Sequence, residues 1–166
     1  MHLDGNHTIT AYNAHEYAGV TSIGGYAYIH AACPALTSIG GYAEITADCP
    51  ALTSIGGHAR IYADCPALTS IEGLTVVPPV EQRANLIAVA RAALATPEAL
   101  CMDRWHKCAT THCIAGWAQH LSDDPVIKAA YPATAGAVLL GPEVARRFHD
   151  TDEEARAFLQ SVLDAA

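Results

Sequence analysis

Residues 24–71 consist of three consecutive, nearly identical units, GGYAYIHAACPALTSI, GGYAEITADCPALTSI and GGHARIYADCPALTSI. Their period of 16 residues is too short for a helical-hairpin repeat, which needs more than about 30 residues. Residues 43–47 alternate small or apolar with polar side chains, as a half-buried strand does, and the pairs Gly40-Gly41 and Cys49-Pro50 supply corners. Each unit therefore predicts one coil of a parallel β-solenoid, with neighbouring coils about 4.8 Å apart.

The stretch before these units, residues 8–23, resembles them only in part. It ends in the same Thr-Ser-Ile triplet but lacks the Cys-Pro corner. Aligned by the period of 16, Tyr12 falls opposite Tyr28, and Asn13 stands where the next unit has Ile29. A degenerate first unit is typical of the terminal cap of a repeat array. We therefore expect about four coils between residues 8 and 74.

Alternation along each strand divides the repeat into inward and outward columns, because successive side chains point to opposite faces. The inward columns hold small or branched apolar residues, which predict a narrow bore, and their cysteines are interpreted as buried hydrophobic side chains rather than metal ligands. These columns are Ala27/Ala43/Ala59, Ile29/Ile45/Ile61, Cys33/Cys49/Cys65, Leu36/Leu52/Leu68 and Ile39/Ile55/Ile71.

The outward positions vary from coil to coil, whereas the inward ones are nearly constant. Tyrosine, histidine and arginine are residue types that anchor protein interfaces, although tyrosines also favour strands and pack on one another across a sheet. We expect a partner to bind the outward residues Tyr26, Tyr28, His30, Tyr42, Glu44, His58, Arg60 and Tyr62. The alternative position for such a site is the helical half, around Arg104 and Trp105.

The repeat resembles the short leucine-rich repeats of bacterial surface and phage-encoded proteins, in which a Cys-x-x-Leu-Thr-Ser-Ile stretch recurs. The resemblance covers about residues 8 to 74 and implies the solenoid architecture. Such repeats serve many partners, so the resemblance alone implies no single function.

Beyond residues 76–79, Val-Val-Pro-Pro, the pattern becomes helical, which predicts an α+β chain with a solenoid over residues 1–77 and a helical domain over 78–166. An open solenoid end exposes unpaired strand edges, so we expect the helical domain, as the only candidate there, to pack on the C-terminal coil. The expected helices are residues 80–95, 97–101, Thr110 or Thr111 to 121, two short helices opening at Pro125 and Pro142, and 152–164 with a capping box at 151–154.

The most distinctive motif is WHKCATTHCIAGWA at residues 105–118. Three interpretations remain open. Cys113 and Trp117 can lie one helical turn apart on the inner face, with Cys108 packed beside them. Cys108 and Cys113 can form a disulfide. Alternatively, a zinc ion can bind His106, Cys108, His112 and Cys113, although these ligands are crowded and lack paired C-x-x-C spacing.

The same motif resembles a Cys-x-Thr-x-x-Cys-x-Ala-Gly-Trp-Ala signature of small phage and mobile-element proteins. Residues 139–145 and Phe148 also resemble the closing helices of that family, and the likeness covers about residues 80 to 165. It implies a fold and a phage or mobile-DNA setting rather than a reaction. With this chain's size and acidity, that setting implies an inhibitor of a host defence complex, similar to an anti-CRISPR protein.

Composition narrows the function classes. The net charge of −8 argues against electrostatic binding of nucleic acid. No apolar run approaches the roughly 20 residues that cross a bilayer. Residues 1–77 hold one basic residue against six acidic ones, so a partner surface should be neutral or basic. The first five residues lack the features of a signal peptide, so we expect the protein in the cytoplasm of a bacterial host.

Catalysis is not expected. A cysteine nucleophile needs a histidine base that usually comes from a distant segment, whereas His106, His112 and His120 are close in sequence to Cys108 and Cys113. The chain has no phosphate-binding glycine loop, and no cofactor is indicated. We therefore expect a non-enzymatic protein that binds a host protein complex, with its oligomeric state open. The alternative function is a zinc- or redox-responsive accessory protein that uses Cys108 and Cys113.

Overall fold

A computed structural model, which describes all 166 residues, contains two compact units, Met1–Val76 and Val77–Ala166. In the first unit each coil contributes one strand to each of two parallel sheets. The first sheet contains β2 (His7–Ile9), β4 (Ala27–Ile29), β6 (Ala43–Ile45) and β8 (Ala59–Ile61). The second contains β1 (His2–Leu3), β3 (Ser22–Ile23), β5 (Ser38–Ile39), β7 (Ser54–Ile55), β9 (Ser70–Ile71) and β10 (Leu74–Thr75). The predicted parallel β-solenoid of about four coils is confirmed.

The five predicted inward columns form the core of this unit. Every residue of the alanine, isoleucine, cysteine and leucine columns is buried, none of them more than 5% exposed. The strands pair in the register that the period of 16 predicts: Ile29 lies opposite Ile45, and Ile45 opposite Ile61. The core therefore consists of stacked identical side chains, because each coil places the same residue type at the equivalent position.

The first coil differs from the prediction. β2 pairs with β4 so that Thr8 lies opposite Tyr28 and Ile9 opposite Ile29, an offset of 20 residues instead of 16. The four additional residues lie in the loop after β2, which contains a short 3₁₀ turn at Ala14–Tyr17. Alignment of Tyr12 with Tyr28 was therefore wrong. Ile9 is buried and fills the inward isoleucine position, because a coil must fill the bore whatever its loop length.

The end of the second sheet is also different from the expectation. After β9 the chain turns through Glu72 and Gly73, both at positive φ (53° and 77°), and β10 returns antiparallel to β9. Leu74 lies opposite Ile71, so β10 covers the open edge of this sheet. The C-terminal edge strand of this sheet is therefore paired within the first unit, which was not predicted from the sequence.

The second unit contains six α-helices, a short 3₁₀ helix at Arg146–His149 and one hairpin. The helices are α1 (Pro79–Ala93), α2 (Ile114–Leu121), α3 (Pro125–Ala129), α4 (Pro132–Leu140), α5 (Pro142–Ala145) and α6 (Asp152–Asp164). Pro125 and Pro142 begin helices as predicted, and so does the Thr151–Glu154 capping box. Helix α1 begins at Pro79, one residue before the predicted start. None of the helices is both long and apolar enough to cross a membrane.

Two predicted helices are wrong in detail. Residues 97–101 form turns rather than a helix, and the stretch before α2 is an antiparallel hairpin of β11 (His106–Cys108) and β12 (Thr111–His112). Helix α2 begins one residue after Cys113, whose thiol accepts a hydrogen bond from the Gly116 N–H. A cysteine therefore caps this helix in place of the expected threonine. Helix α4 begins at Pro132, a start that was not predicted.

Helix α2 is the central element of the second unit. It packs against α1, α3 and α4, and α1 packs in turn against α6. Ala115 of α2 and Gly136 of α4 approach so closely that a Cβ on Gly136 would lie 2.7 Å from the Ala115 Cβ. The residues Ile114 to Gln119 are all buried, so every side chain of the Ala-Gly-Trp-Ala motif faces protein.

Candidate protein-binding face and the cysteine-histidine hairpin

The outer face of the first sheet carries an aromatic cluster. Tyr26 and Tyr28 on the second coil are exposed, at 51% and 38%, and Tyr42 on the third coil is half-buried between them. The Tyr42 ring meets Tyr26 edge to face at 6.3 Å between centroids and Tyr28 at 5.9 Å in a tilted geometry. The three rings support one another, so the cluster presents rigid aromatic surface.

Charged groups lie directly beside this cluster. Tyr28, Glu44 and Arg60 form one outward column in strand register, and the Tyr42 hydroxyl donates a hydrogen bond of 3.2 Å to the Glu44 carboxylate. Burial raises the pKa of Tyr42 to about 12, which Arg60 opposes and Glu44 reinforces. The phenol therefore stays protonated at neutral pH and remains a donor to Glu44.

The remaining predicted binding residues lie on the same face but already have partners within the protein. His30 hydrogen-bonds to the Thr46 hydroxyl at 2.9 Å, and His58 lies 2.7 Å from the Glu72 carboxylate. Burial raises the pKa of Tyr62, the outward residue in line with His30 and Thr46. The eight predicted residues thus share one face, and its aromatic surface is concentrated at Tyr26, Tyr28 and Tyr42.

The second feature is the hairpin β11–β12, which we call the cysteine-histidine hairpin, residues 106–112. It separates the two cysteines of the motif. Cys108 is exposed on β11, whereas Cys113 is 1% exposed at the start of α2. The predicted packing of Cys113 and Trp117 on the inner face agrees with the structure, since both are buried. The predicted packing of Cys108 beside them does not, because the hairpin turns Cys108 outward.

The structure does not assemble the disulfide or the zinc site considered for this motif. All six cysteines are free thiols, and no group of three or more His, Cys, Asp or Glu side chains converges in a way that could hold a metal ion. The Cys113 thiol accepts a hydrogen bond from the Gly116 N–H, and burial raises the pKa of Cys113 to about 11. Cys113 therefore acts as a neutral helix cap.

Two histidines of the hairpin meet directly. His106 and His112 pair across the strands, with their Nδ1 atoms 2.9 Å apart. His112 is 2% exposed, and its ring packs edge to face on Trp117 and stacks on His120. Burial, together with the neighbouring His106 and His120, lowers the pKa of His112. A buried histidine with a lowered pKa stays neutral at physiological pH.

Gln119 on α2 completes this network. Its amide nitrogen donates to the carbonyl oxygens of Ile127, Lys128 and Ala130, at 2.8–3.2 Å, and so holds the segment of α3 against α2. Its amide oxygen lies 2.9 Å from Nε2 of His106. Gln119 was not identified from the sequence. The signal that could have identified it was a polar residue on the face of the predicted helix that is otherwise apolar.

Tyr12 is an exposed aromatic residue that the period of 16 placed wrongly. It lies in the four-residue extension of the first coil and is 93% exposed. Alignment by the period of 16 had placed it in the outward column of Tyr28, on a strand. Its position in the loop after β2 makes it a separate exposed aromatic side chain.

The exposed Cys108 thiol should react first with alkylating agents. Hydrogen bonds with the side chains of Thr111 and Thr110 lower the pKa of Cys108 to about 7, and the thiolate is the reactive form. We expect the rate of iodoacetamide labelling of the native protein to rise with pH through a midpoint near 7. Mass spectrometry of labelled peptides should place the first adduct on Cys108, and Cys108→Ser should remove the fast phase. A first adduct on Cys113 would contradict the hairpin geometry.

Comparisons of the chain with protein-family models, with curated proteins and with solved structures give no match. We therefore infer function from the geometry of these two features.

Proposed function

We propose that this chain is a non-enzymatic protein-binding protein whose partner binds the outer face of the sheet β2-β4-β6-β8. The observation that supports this most directly is the interlocked cluster of Tyr26, Tyr28 and Tyr42 on an exposed sheet face. Rigid aromatic side chains bury a large area at low entropic cost, which is why they anchor interfaces. The inward side chains of the same strands are committed to the core, so recognition is left to the outward ones.

The charge of the solenoid indicates the chemistry of the partner. Arg60 is the only Lys or Arg in residues 1–77, against six Asp and Glu residues. The face also combines tyrosine rings with the Glu44 carboxylate, a combination that attracts cationic side chains through cation–π and ionic contacts. The proposed partner surface is therefore a protein surface that presents lysine or arginine, rather than a nucleic acid or a membrane.

For the biological role, we propose that the chain comes from a phage or mobile element and inhibits a host defence complex, in the manner of an anti-CRISPR protein. The support is the resemblance of residues 105–118 to the mobile-element motif, together with the acidic surface. Defence complexes that hold nucleic acid expose basic protein surfaces, and an acidic aromatic face is complementary to these.

A test of the binding face starts with a pull-down from a bacterial lysate that contains defence systems, followed by affinity measurement on the purified partner. We expect Tyr28→Ala combined with Tyr42→Ala to weaken binding by at least about 30-fold, since a pair of interface anchors contributes about 2 kcal/mol or more. The matched control is Ser54→Ala, on the other sheet of the same coil, which should leave the affinity unchanged.

A second pair of substitutions tests the competing site. Arg104→Ala with Lys107→Ala removes two exposed cations beside the cysteine-histidine hairpin. Binding that survives the tyrosine pair but is lost with the cation pair would place the interface on the second unit and refute the proposed face. The circular dichroism melt of the cation pair should stay close to wild type, because exposed truncations usually change stability by under about 0.5 kcal/mol. Tyr42 is half-buried, so the melt of the tyrosine pair is measured to verify that this variant is folded at the temperature of the binding assay.

A further inference from the structure

The second unit contains a cavity that the features described above do not use. It has a volume of about 330 Å³ and lies between α1, α5, the 3₁₀ helix at Arg146–His149 and α6. Its apolar lining consists of Leu86 and Val162, which are buried, and Val144 and Phe158, which are half-buried. Pockets for small ligands start at about 300 Å³ and combine an apolar lining with a few polar groups. This cavity therefore has the size and the lining of a site for a small molecule.

The polar groups of this cavity are mainly arginines. The chain has nine Lys and Arg residues against 17 Asp and Glu residues, and three of the nine, Arg83, Arg146 and Arg147, line this one cavity. Glu143 is the only carboxylate in the lining. Three positive charges against one negative charge give the lining a net charge of +2, in a chain with a net charge of −8. Because a cleft lined by one sign of charge attracts the opposite sign, the ligand should be an anion.

Arg83 is fixed on α6 and still has hydrogen-bond donors to offer. Its Nη2 atom donates to the carbonyl oxygens of Val162, at 3.3 Å, and Ala165, at 3.1 Å, at the C-terminal end of α6. A guanidinium group has five N–H groups, so those of Nε and Nη1 remain for a ligand. Because the two carbonyl contacts already restrict the side chain, binding a ligand there costs little additional side-chain entropy.

Arg147 is held in a similar way, beside the apolar lining. Its Nη1 atom donates to the Asp150 carboxylate at 3.2 Å, and its guanidinium carbon lies 5.2 Å from the centroid of the Phe158 ring. Asp150 and the nearby Glu154 offset part of its charge. Asp150 engages one of the five N–H groups, however, so the others can donate to a ligand. Arg147 and Phe158 both line the cavity, which places a donor for an oxyanion next to an apolar surface.

We propose that this cavity, which we call the arginine cavity, binds a small organic acid, meaning an apolar body that carries a carboxylate or phosphate group. The apolar body packs on Leu86, Phe158 and Val162. The oxyanion accepts hydrogen bonds from Arg83 and Arg147, because planar guanidinium groups match the geometry of both carboxylate and phosphate oxygens. The arginine cavity consists of residues of the second unit only, whereas the proposed protein-binding face belongs to the first.

The direct test is an NMR titration of the full-length, ¹⁵N-labelled protein with two probe acids, 4-phenylbutyrate and phenyl phosphate, in a buffer that contains no other oxyanion. The reference compounds are 4-phenylbutanol, which has the apolar body without the charge, and acetate, which has the charge without the body. We expect saturable shifts at the amides of lining residues such as Val144 and Ser161. At least one acid should bind about tenfold more tightly than either reference compound, because charge-assisted hydrogen bonds to arginine add to the apolar contacts. The tighter acid identifies the preferred headgroup. Equal affinity for 4-phenylbutanol or acetate, or no saturable shift with either acid, would overturn the proposal.

Two variants with opposite expected effects test the role of charge. Arg147→Gln should weaken binding of the preferred acid by about tenfold, since it removes a charged donor. Glu143→Gln should strengthen binding by about threefold, since it removes the one lining carboxylate, which is exposed and repels the anion. The matched control is Arg91→Gln, an exposed arginine of α1 outside the cavity lining, which should leave the affinity unchanged. Unchanged affinity in Glu143→Gln, or in a folded Arg147→Gln, would refute an anion site, and if Arg147→Gln does not fold, Glu143→Gln decides.

Discussion

Replacement of Gly116 by alanine should lower the free energy of unfolding by about 3 kcal/mol, the upper end for overpacking a rigid site. A Cβ at this position would lie 1.8 Å from the carbonyl oxygen of Trp105, which is backbone and cannot rotate away. The same carbonyl accepts the Cys113 N–H, so moving it breaks the connection between residue 105 and the start of α2. The gain in helix propensity from glycine to alanine, about 1 kcal/mol, is too small to compensate.

Two other glycines provide controls for this substitution. Gly136→Ala also meets protein, with the Ala115 Cβ and the Phe148 ring tip both at 2.7 Å. These separations are longer than the 1.8 Å at Gly116, and the Phe148 side chain can shift, so the effect should be smaller. Gly19→Ala meets nothing within 4 Å and should be close to neutral. Urea denaturation of the three variants should therefore rank them Gly116, Gly136, Gly19. A Gly116→Ala variant as stable as Gly19→Ala would show that residue 105 does not contact α2.

The sequence predicts the solenoid in detail because each coil repeats the same packing problem. In a column such as Leu36, Leu52 and Leu68, the same side chain occupies the same position in three successive coils. Because these positions recur at a fixed period, only one register places identical side chains next to each other. The strand pairing of the first coil was not predicted correctly. Its Thr-Ser-Ile triplet obeys the period, but the strand before it is displaced by a four-residue loop, and loop length carries no hydrophobic periodicity.

The cysteine-histidine hairpin was not predicted, for a different reason. Residues 106–112 contain no turn dipeptide of the Asn-Gly type that predicts a hairpin from sequence. The strands pair because Trp105 and Ala99 supply backbone partners to residues 112 and 113, and because Gln119 fixes the His106 ring. Those contacts join residues up to 13 positions apart in the sequence, so local sequence patterns do not predict them. The metal and disulfide hypotheses considered residue types in a short window without the strand pairing, which brings His106 and His112 together but leaves Cys108 exposed and Cys113 buried.

The eight candidate binding residues lie between these two cases. The alternation of the strand was enough to predict which side chains point outward. It did not predict how the tyrosines arrange among themselves, because ring geometry depends on contacts between coils. The Tyr42 ring lies between Tyr26 and Tyr28, so the cluster centres on the least exposed of the three. A ranking by residue type alone would have treated all outward aromatics as equal.

The second large effect is expected at Leu52, in the centre of the solenoid core. Leu52→Ala should lower the free energy of unfolding by about 2–5 kcal/mol, the range for truncating a buried leucine. Leu52 is fully buried, and its neighbours Leu36 and Leu68 belong to coils that are themselves fixed by strand pairing on both sheets. The surroundings therefore cannot collapse into the space without breaking the register, which places the expected loss toward the upper end of the range.

The adjacent residue is the matched control, because Thr53 lies in the same coil but is exposed. Thr53→Ala removes one hydrogen bond to the Thr37 carbonyl oxygen, which should lower stability by about 1 kcal/mol or less. In a stacked array each coil is held mainly by its neighbours, so hydrogen exchange in Leu52→Ala should accelerate most at the amides of β5, β6 and β7. Equal losses for Leu52→Ala and Thr53→Ala, or acceleration confined to the first coil, would mean that the stacked leucines do not hold the coils together.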